Sequence, residues 1–393
     1  MKEKIFLTRT LHDFALKELK KKFQVEVHTG KIPIPKNTLK SKIKHADGLI
    51  CFPYDQIDKE IIQSAKNLKV ISTFSVGYDH IDTKVAKEKK IRVGYTPEVL
   101  TNATADMAFA LMIDLLRRIS EGDRIIRKQK WKQIYGAYDY VGLDLQGKTL
   151  GIIGLGRIGK TLAKRAKAFD MKIIYHNRKQ IPKANEKKLG VKYTTFNKLI
   201  TQSDIISIHV PHTDETNQMF NMKIFRKMKK TSFLINTSRG KVVNEKDLVI
   251  ALKQKIIGGA GLDVFETEPI IKNHQFLKLE NIVLAPHVGS STKETRTKMA
   301  EITIKNLILG INGKKPIYSI GYWILRVIAK PTKCWVFILK LLNVVKLKKF
   351  KHTNEELELA KIQTEKDKKK KESENWYFFA CLLQTRFFFK IQF

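Results

Sequence analysis

The sequence predicts an α/β protein with two doubly wound domains, each built on a parallel sheet, and three observations carry that reading. Short apolar runs alternate with helix-periodic stretches through most of residues 1–318. One long Ala-, Leu- and Met-rich helical stretch, opening at Thr101, interrupts the alternation. A glycine turn, Gly154-Leu155-Gly156-Arg157-Ile158-Gly159, separates an apolar strand-like run from a helix-compatible one.

The elements follow in order. Ile5 to Thr8, Gly48 to Cys51, Val70 to Thr73 and Ile91 to Gly94 read as strands, with helical spacing over 13–22 and 58–67 between them. Strand and helix in alternation imply a mainly parallel sheet covered by helices on its faces. The helix that begins Thr101-Asn102-Ala103-Thr104-Ala105-Asp106 and runs to about Arg118 marks the crossover between domains; charges interrupt it too often for a membrane span. A second series then places strands near 149–153, 172–175, 204–209, 232–236, 257–262 and 281–284. Six strands with helices between them fit a second doubly wound sheet. A last helix, from about Ser291 to Gly310, leads back to the first domain and makes that domain discontinuous. The predicted division is 1–100 with 290–318, 101–289, and a basic, aromatic tail over 319–393.

Bulk composition narrows the class. With 393 residues, 43% of them apolar, the chain is long enough for two buried cores. Three scattered cysteines, Cys51, Cys334 and Cys381, supply neither a disulfide framework nor a zinc site, so a reducing cytoplasm is the expected setting and no metal is expected. The apolar run at the N-terminus is too short for the core of a signal peptide and reads as the first strand. The net charge of +37 comes mainly from lysines spread along the chain; arginine-rich clusters interleaved with aromatics, which grip nucleic acid, are missing before residue 320. No nucleic-acid partner is expected, while anionic small molecules are favoured.

Residues past about 320 have another character. Residues 322–345 are apolar and aromatic but broken by Arg326, Lys330, Pro331, Lys333 and Lys340, and a Lys/Glu stretch and Phe387-Phe388-Phe389 follow. Composition reads this as a solvated appendage outside the core fold. The competing reading is a basic segment that contacts a membrane surface.

The glycine turn carries the first chemical signal. Gly154 permits a tight turn, Gly156 lets the backbone approach a pyrophosphate, and Gly159 lets helix and strand pack closely, while the helix N-terminus offers free N–H groups to phosphate. The second strand of this series ends in His176-Asn177-Arg178-Lys179 with no acidic residue to accept from a ribose 2′-hydroxyl. Asn177 can hydrogen-bond, and Arg178 with Lys179 can neutralise a 2′-phosphate. This points to NADP(H), with NAD(H) the alternative.

Three more motifs close predicted strands at their C-terminal ends, where open α/β sheets bind ligands. Leu234 to Gly240 ends with Arg239, Gly261 to Pro269 contains Asp263 and Glu268, and Ala285 to Ser290 contains His287. Reduction of a 2-oxo acid adds hydride to the carbonyl carbon and a proton to its oxygen. Arg239 suits carboxylate binding and carbonyl polarisation, His287 suits proton donation, and Glu268 would orient the imidazole and favour its charged form.

These motifs resemble the D-isomer-specific 2-hydroxyacid dehydrogenase family over about residues 3–318, most closely its glyoxylate reductases. The resemblance implies two domains of Rossmann-like and flavodoxin-like type and a catalytic Arg239, Glu268 and His287. It also implies that Val76 and Gly77, in Ser75-Val76-Gly77-Tyr78-Asp79-His80-Ile81-Asp82, offer N–H groups to the substrate carboxylate. Coenzyme contacts are implied for Thr104, Gly154, Gly156, Arg157, Ile158, Gly159, Asn177, Arg178, Lys179, Thr237 and Gly289, with Asp263 meeting the nicotinamide carboxamide. The implied reaction is reduction of glyoxylate and related small 2-oxo acids by a homodimer joined through its coenzyme domains. Glycerate, lactate and phosphoglycerate dehydrogenases share the machinery; no recognisable regulatory domain follows to favour phosphoglycerate. Some relatives are dinucleotide-sensing corepressors, but the three catalytic residues argue for an enzyme. The tail is a departure from the family, whose members end soon after the equivalent of Lys315-Pro316.

Overall fold

The structure, a computed structural model, describes residues 2–320. Residues 321–393, and with them nearly all of the tail and both readings of it, lie outside the described residues.

A five-stranded sheet comes first: β1 (Lys4–Leu7), β2 (Gln24–Val27), β3 (Gly48–Cys51), β4 (Val70–Thr73) and β5 (Arg92–Gly94), ordered β2-β1-β3-β4-β5 and parallel throughout. Every residue of β3 and β4 is buried; β3 reads as an unbroken apolar run, and β4 opens on Val70-Ile71 and closes on the buried Ser72 and Thr73. Asp58 and Asp82 accept backbone N–H groups from Ile61 and Val85, so the helices that follow β3 and β4 each start at a side-chain cap.

The second sheet has seven strands: β6 (Thr149–Ile153), β7 (Lys172–His176), β8 (Lys192–Tyr193), β9 (Ile205–Ile208), β10 (Phe233–Asn236), β11 (Gly259–Leu262) and β12 (Ile282–Leu284). Its order, β12-β11-β10-β9-β6-β7-β8, is again all parallel and reverses direction between β6 and β9. At that reversal the crevice above the strand ends opens, and the glycine turn follows β6 directly.

Each sheet has one strand more than the sequence pattern predicts. Gln24–Val27 is a short edge strand whose Gln and Glu face out, and Lys192–Tyr193 is only two residues long. Neither presents an apolar run long enough to mark a strand.

Two helices tie the sheets together. Thr101–Arg117 packs its Ala105, Ala108, Met112 and Leu116 into the core of the seven-stranded sheet, and Lys293–Ile311 returns to cover β3 to β5 through Met299, Ile304 and Leu307. Burying a side chain such as Leu307 stabilises the lobe by about 2 kcal/mol. Ser72 donates to the Thr303 carbonyl at 2.9 Å, and Asn306 to the Tyr95 carbonyl at 3.0 Å, so the returning helix is also hydrogen-bonded to the first sheet. Among the described residues no helix is long and apolar enough to cross a membrane.

Candidate active site

The glycine turn has the backbone geometry that a phosphate cradle requires. Gly154 has φ +94°, and a Cβ there would meet the His209 carbonyl at 2.7 Å. Gly156 has only open space where a side chain would go, leaving its backbone free to approach a ligand. A Cβ at Gly159 would lie 2.4 Å from the Gly154 carbonyl, so the helix Arg157–Lys167 sits close against the turn. Asn177, at the end of β7, accepts the Leu155 N–H at 2.7 Å and braces the turn from its flank. Arg178 and Lys179 beside it are exposed. Arg157 reaches Glu98 at 3.2 Å, and Ile158 packs against the cores of both lobes.

Beyond β10, buried Asn236 shapes the next turn: its Oδ1 accepts from the Ser238 N–H and hydroxyl, and its amide donates to the Arg239 carbonyl at 2.9 Å. The turn buries Thr237, whose Oγ1 has no hydrogen-bond partner. A buried hydroxyl without a partner is costly, and a coenzyme lying along the strand ends would supply one. Thr237 and the open face of Gly156 therefore fit a bound nicotinamide dinucleotide.

Asp263, at the end of β11, accepts the N–H groups of Val288 and Gly289 at 2.8 and 2.7 Å. Its carboxylate thus holds the His287 loop, and burial pushes its pKa above the usual 3.8. Gly289 packs between Asp263 and Thr104, the latter in the first turn of Thr101–Arg117. His287 itself has φ +55°, a left-handed conformation that costs about 1–2 kcal/mol for a residue with a Cβ. The two bonds to Asp263 offset that cost by fixing the loop on both following residues.

His287 Nδ1 lies 2.6 Å from Glu268 Oε2, and the other Glu268 oxygen accepts the Phe265 N–H at 2.8 Å. Burial works to raise the Glu268 pKa, but the hydrogen bond and charge of His287 outweigh it and hold the carboxyl below its usual 4.5. The carboxylate thereby directs the other ring nitrogen, Nε2, away from itself.

Loops of the first lobe close over this row. The Tyr54 ring meets the His287 ring edge-on at 5.5 Å, and burial pushes the Tyr54 hydroxyl well above its usual pKa. Gly77 lies against Arg239 so tightly that a Cβ would fall 1.5 Å from Nη2. Val76, on the same loop, packs against the core under the five-stranded sheet. Asp79 takes Arg239 Nε at 3.2 Å and Nη2 at 2.9 Å. Burial opposes the Asp79 charge, yet the hydrogen bonds and charge of Arg239 prevail and hold its pKa below 3.8.

Arg239, Glu268 and His287 thus leave the ends of three neighbouring strands, β10, β11 and β12, facing first-lobe loops that touch Arg239 and His287. Sequence reasoning missed Asp79 and Tyr54 as participants. Asp79 stood in the segment named for the substrate, but its partner Arg239 lies on the other lobe, 160 residues away. Arg9, stacked over Phe52 and Tyr54, and Arg296, over Phe74, were also missed, and no motif marks them. Among the described residues no cluster of His, Cys, Asp and Glu side chains could hold a metal ion.

A dinucleotide cradle beside an arginine and a carboxylate-supported imidazole defines an oxidoreductase that uses a nicotinamide coenzyme. Residues 109–289 match the NAD binding domain of the D-isomer specific 2-hydroxyacid dehydrogenases. A glyoxylate reductase from Thermococcus litoralis is 46% identical over 319 residues, covering 80% of this chain and 96% of that protein. The crystal structure of a glyoxylate reductase from Paecilomyes thermophila is similar at TM-score 0.72 and 31% identity, over 81% of this chain and 98% of that one. An NADPH-dependent glyoxylate/hydroxypyruvate reductase from Sinorhizobium meliloti, solved with NADP and malonate, gives TM-score 0.71 and 29% identity over 82% and 97%. The chain belongs to the D-isomer specific 2-hydroxyacid dehydrogenase family.

Proposed function

We propose that the chain reduces glyoxylate, and related small 2-oxo acids such as hydroxypyruvate, to the corresponding 2-hydroxy acid, with NADPH preferred over NADH. The observation that carries this reading is the Glu268–His287 hydrogen bond of 2.6 Å in the same row of strand ends as Arg239. Arg239 binds the substrate carboxylate and polarises the carbonyl, with the Val76 and Gly77 backbone alongside. The coenzyme supplies the hydride. His287 delivers the proton to the carbonyl oxygen, and Glu268 keeps the imidazole oriented. The NADPH preference is supported by exposed Arg178 and Lys179 and by the absence of an acidic residue after β7.

On this reading residues 1–100 and 290–318 form the substrate domain and 101–289 the coenzyme domain, with catalysis in the cleft between. A homodimer through the coenzyme domain is supported by the segment after Thr101–Arg117, where Ile134 is 91% and Tyr138 93% exposed beside Ile126 and Trp131. The cytoplasm is the proposed setting; Cys51 is a buried free thiol.

The deciding experiment measures kcat/KM for glyoxylate, hydroxypyruvate and pyruvate with each coenzyme. Glyoxylate with NADPH should give the highest value. Coenzyme binding with negligible turnover of every acid would instead identify a dinucleotide sensor.

A further inference from the structure

Arginine has five N–H donors, and the structure commits three of those on Arg239. Nε–H and one N–H of Nη2 fork onto the Asp79 carboxylate, and one N–H of Nη1 donates to the Ser238 carbonyl at 2.8 Å. Two donors remain, one on each terminal nitrogen, the pair that a planar carboxylate can take two-fold. Gly77 lies directly against Nη2, so these donors sit beside the loop proposed to meet the substrate.

That loop is braced from within the first lobe. Ser75 Oγ donates to the Gly77 carbonyl at 2.6 Å, Thr73 Oγ1 lies 2.7 Å from Ser75 Oγ, and buried His80 Nε2 is 3.0 Å from Thr73 Oγ1. Asp79 therefore projects from a backbone that cannot easily drift. A carboxylate beside Arg239 is not what attraction for an anionic substrate would select, since like charges repel. Its placement makes sense if direction matters more than net charge.

We propose that Asp79 is a positioning residue, which holds the side-on edge of the Arg239 guanidinium so that a 2-oxo acid engages the two terminal nitrogens in one orientation. The inference rests on the reading of Arg239 as the substrate's anchor and adds the residue that aims it. Asp79 sits on the first lobe and Arg239 on the second, so the same contact makes substrate affinity depend on how the lobes are set.

The test compares steady-state glyoxylate reduction by the full chain and by Asp79→Asn, Asp79→Glu, Arg239→Lys and the Asp79→Asn/Arg239→Lys double variant. Coenzyme affinity and thermal midpoint are measured for each. Asp79→Asn should raise KM about 10-fold or more, with a smaller fall in kcat and little change in coenzyme affinity. Asp79→Glu, which keeps the charge but shifts it, should fall between. In the Arg239→Lys background, where there is no fork to aim, Asp79→Asn should add little. An unchanged or lowered KM for Asp79→Asn overturns the proposal, as does its full penalty in the Arg239→Lys background. Should Asp79→Asn fail to fold, Asp79→Glu decides: a raised KM supports the proposal and an unchanged one overturns it. Wild-type KM and kcat in Arg239→Lys would overturn the underlying reading of Arg239 itself, a separate outcome.

Discussion

Glu268 and His287 are joined through one carboxylate oxygen at 2.6 Å while the other oxygen is held by the Phe265 backbone, so neither partner can rotate without breaking a bond. Glu268→Gln keeps the shape and removes the charge. We expect kcat for glyoxylate reduction to fall roughly 10²-fold. An unchanged kcat would contradict the proposed role.

The ionisation of Glu268 also has a consequence for acid behaviour. Its pKa in the folded protein lies below the usual 4.5, so its contribution to stability is fully present above that value and is lost only as pH falls through the lower folded value. Reductase kcat/KM should therefore show no loss assignable to Glu268 between about pH 5 and neutrality. A cooperative loss of activity centred above pH 5 that vanishes in Glu268→Gln would disprove this.

For His287→Ala the expectation is a collapse of kcat by about 10³-fold, the middle of the range for a lost general acid. Coenzyme should still bind, because the glycine turn and Thr237 are untouched. Fluorescence titration with NADPH separates the two effects; a coenzyme affinity that fell with kcat would show that the loop, and not the proton donor, had been lost.

Gly77→Ala is the smallest change that should disable the site. The added methyl would lie 1.5 Å from Arg239 Nη2, so either the guanidinium or the loop must move. Activity should fall at least about 10²-fold, since a displacement near 1 Å at a reacting group costs that much. The thermal midpoint should shift far less than the rate. Normal kinetics in this variant would show that the contact is free to relax.

Arg178→Ala/Lys179→Ala tests the coenzyme preference. If these exposed cations meet a 2′-phosphate, their loss should lower kcat/KM for NADPH about 10-fold or more while NADH changes little. Equal losses with both coenzymes would mean that they serve only general attraction.

Most of the fold could be read from the chain because its strands are buried on both faces. Gly48–Cys51 is apolar throughout and Ile205–Ile208 is apolar but for the buried Ser207, so both stand out against the lysine-rich helices. The edge strands Gln24–Val27 and Lys192–Tyr193 escaped notice for the complementary reason, being half-exposed, short and polar. Arg239, Glu268 and His287 were legible because each follows a strand run, so a one-dimensional signal also gave a three-dimensional address. Asp79 was not, since its meaning lies in the second lobe, and Asp263 proved to have a task that spacing alone does not express: it clamps the backbone after His287. Thr237 was named by resemblance, but only burial reveals that its hydroxyl lacks a partner.

The return of the Lys293–Ile311 helix onto the first sheet has a bearing on how the polypeptide is made. Ser72 emerges early in synthesis, yet its hydrogen-bond acceptor at Thr303 is added 231 residues later. Until then β3 and β4 lack the cover that keeps one apolar face from water, while the entire coenzyme-side sheet can complete itself in the meantime. The lobe translated first is therefore completed only by the late Lys293–Ile311 helix, and until then its unfinished apolar face is open to sticking elsewhere.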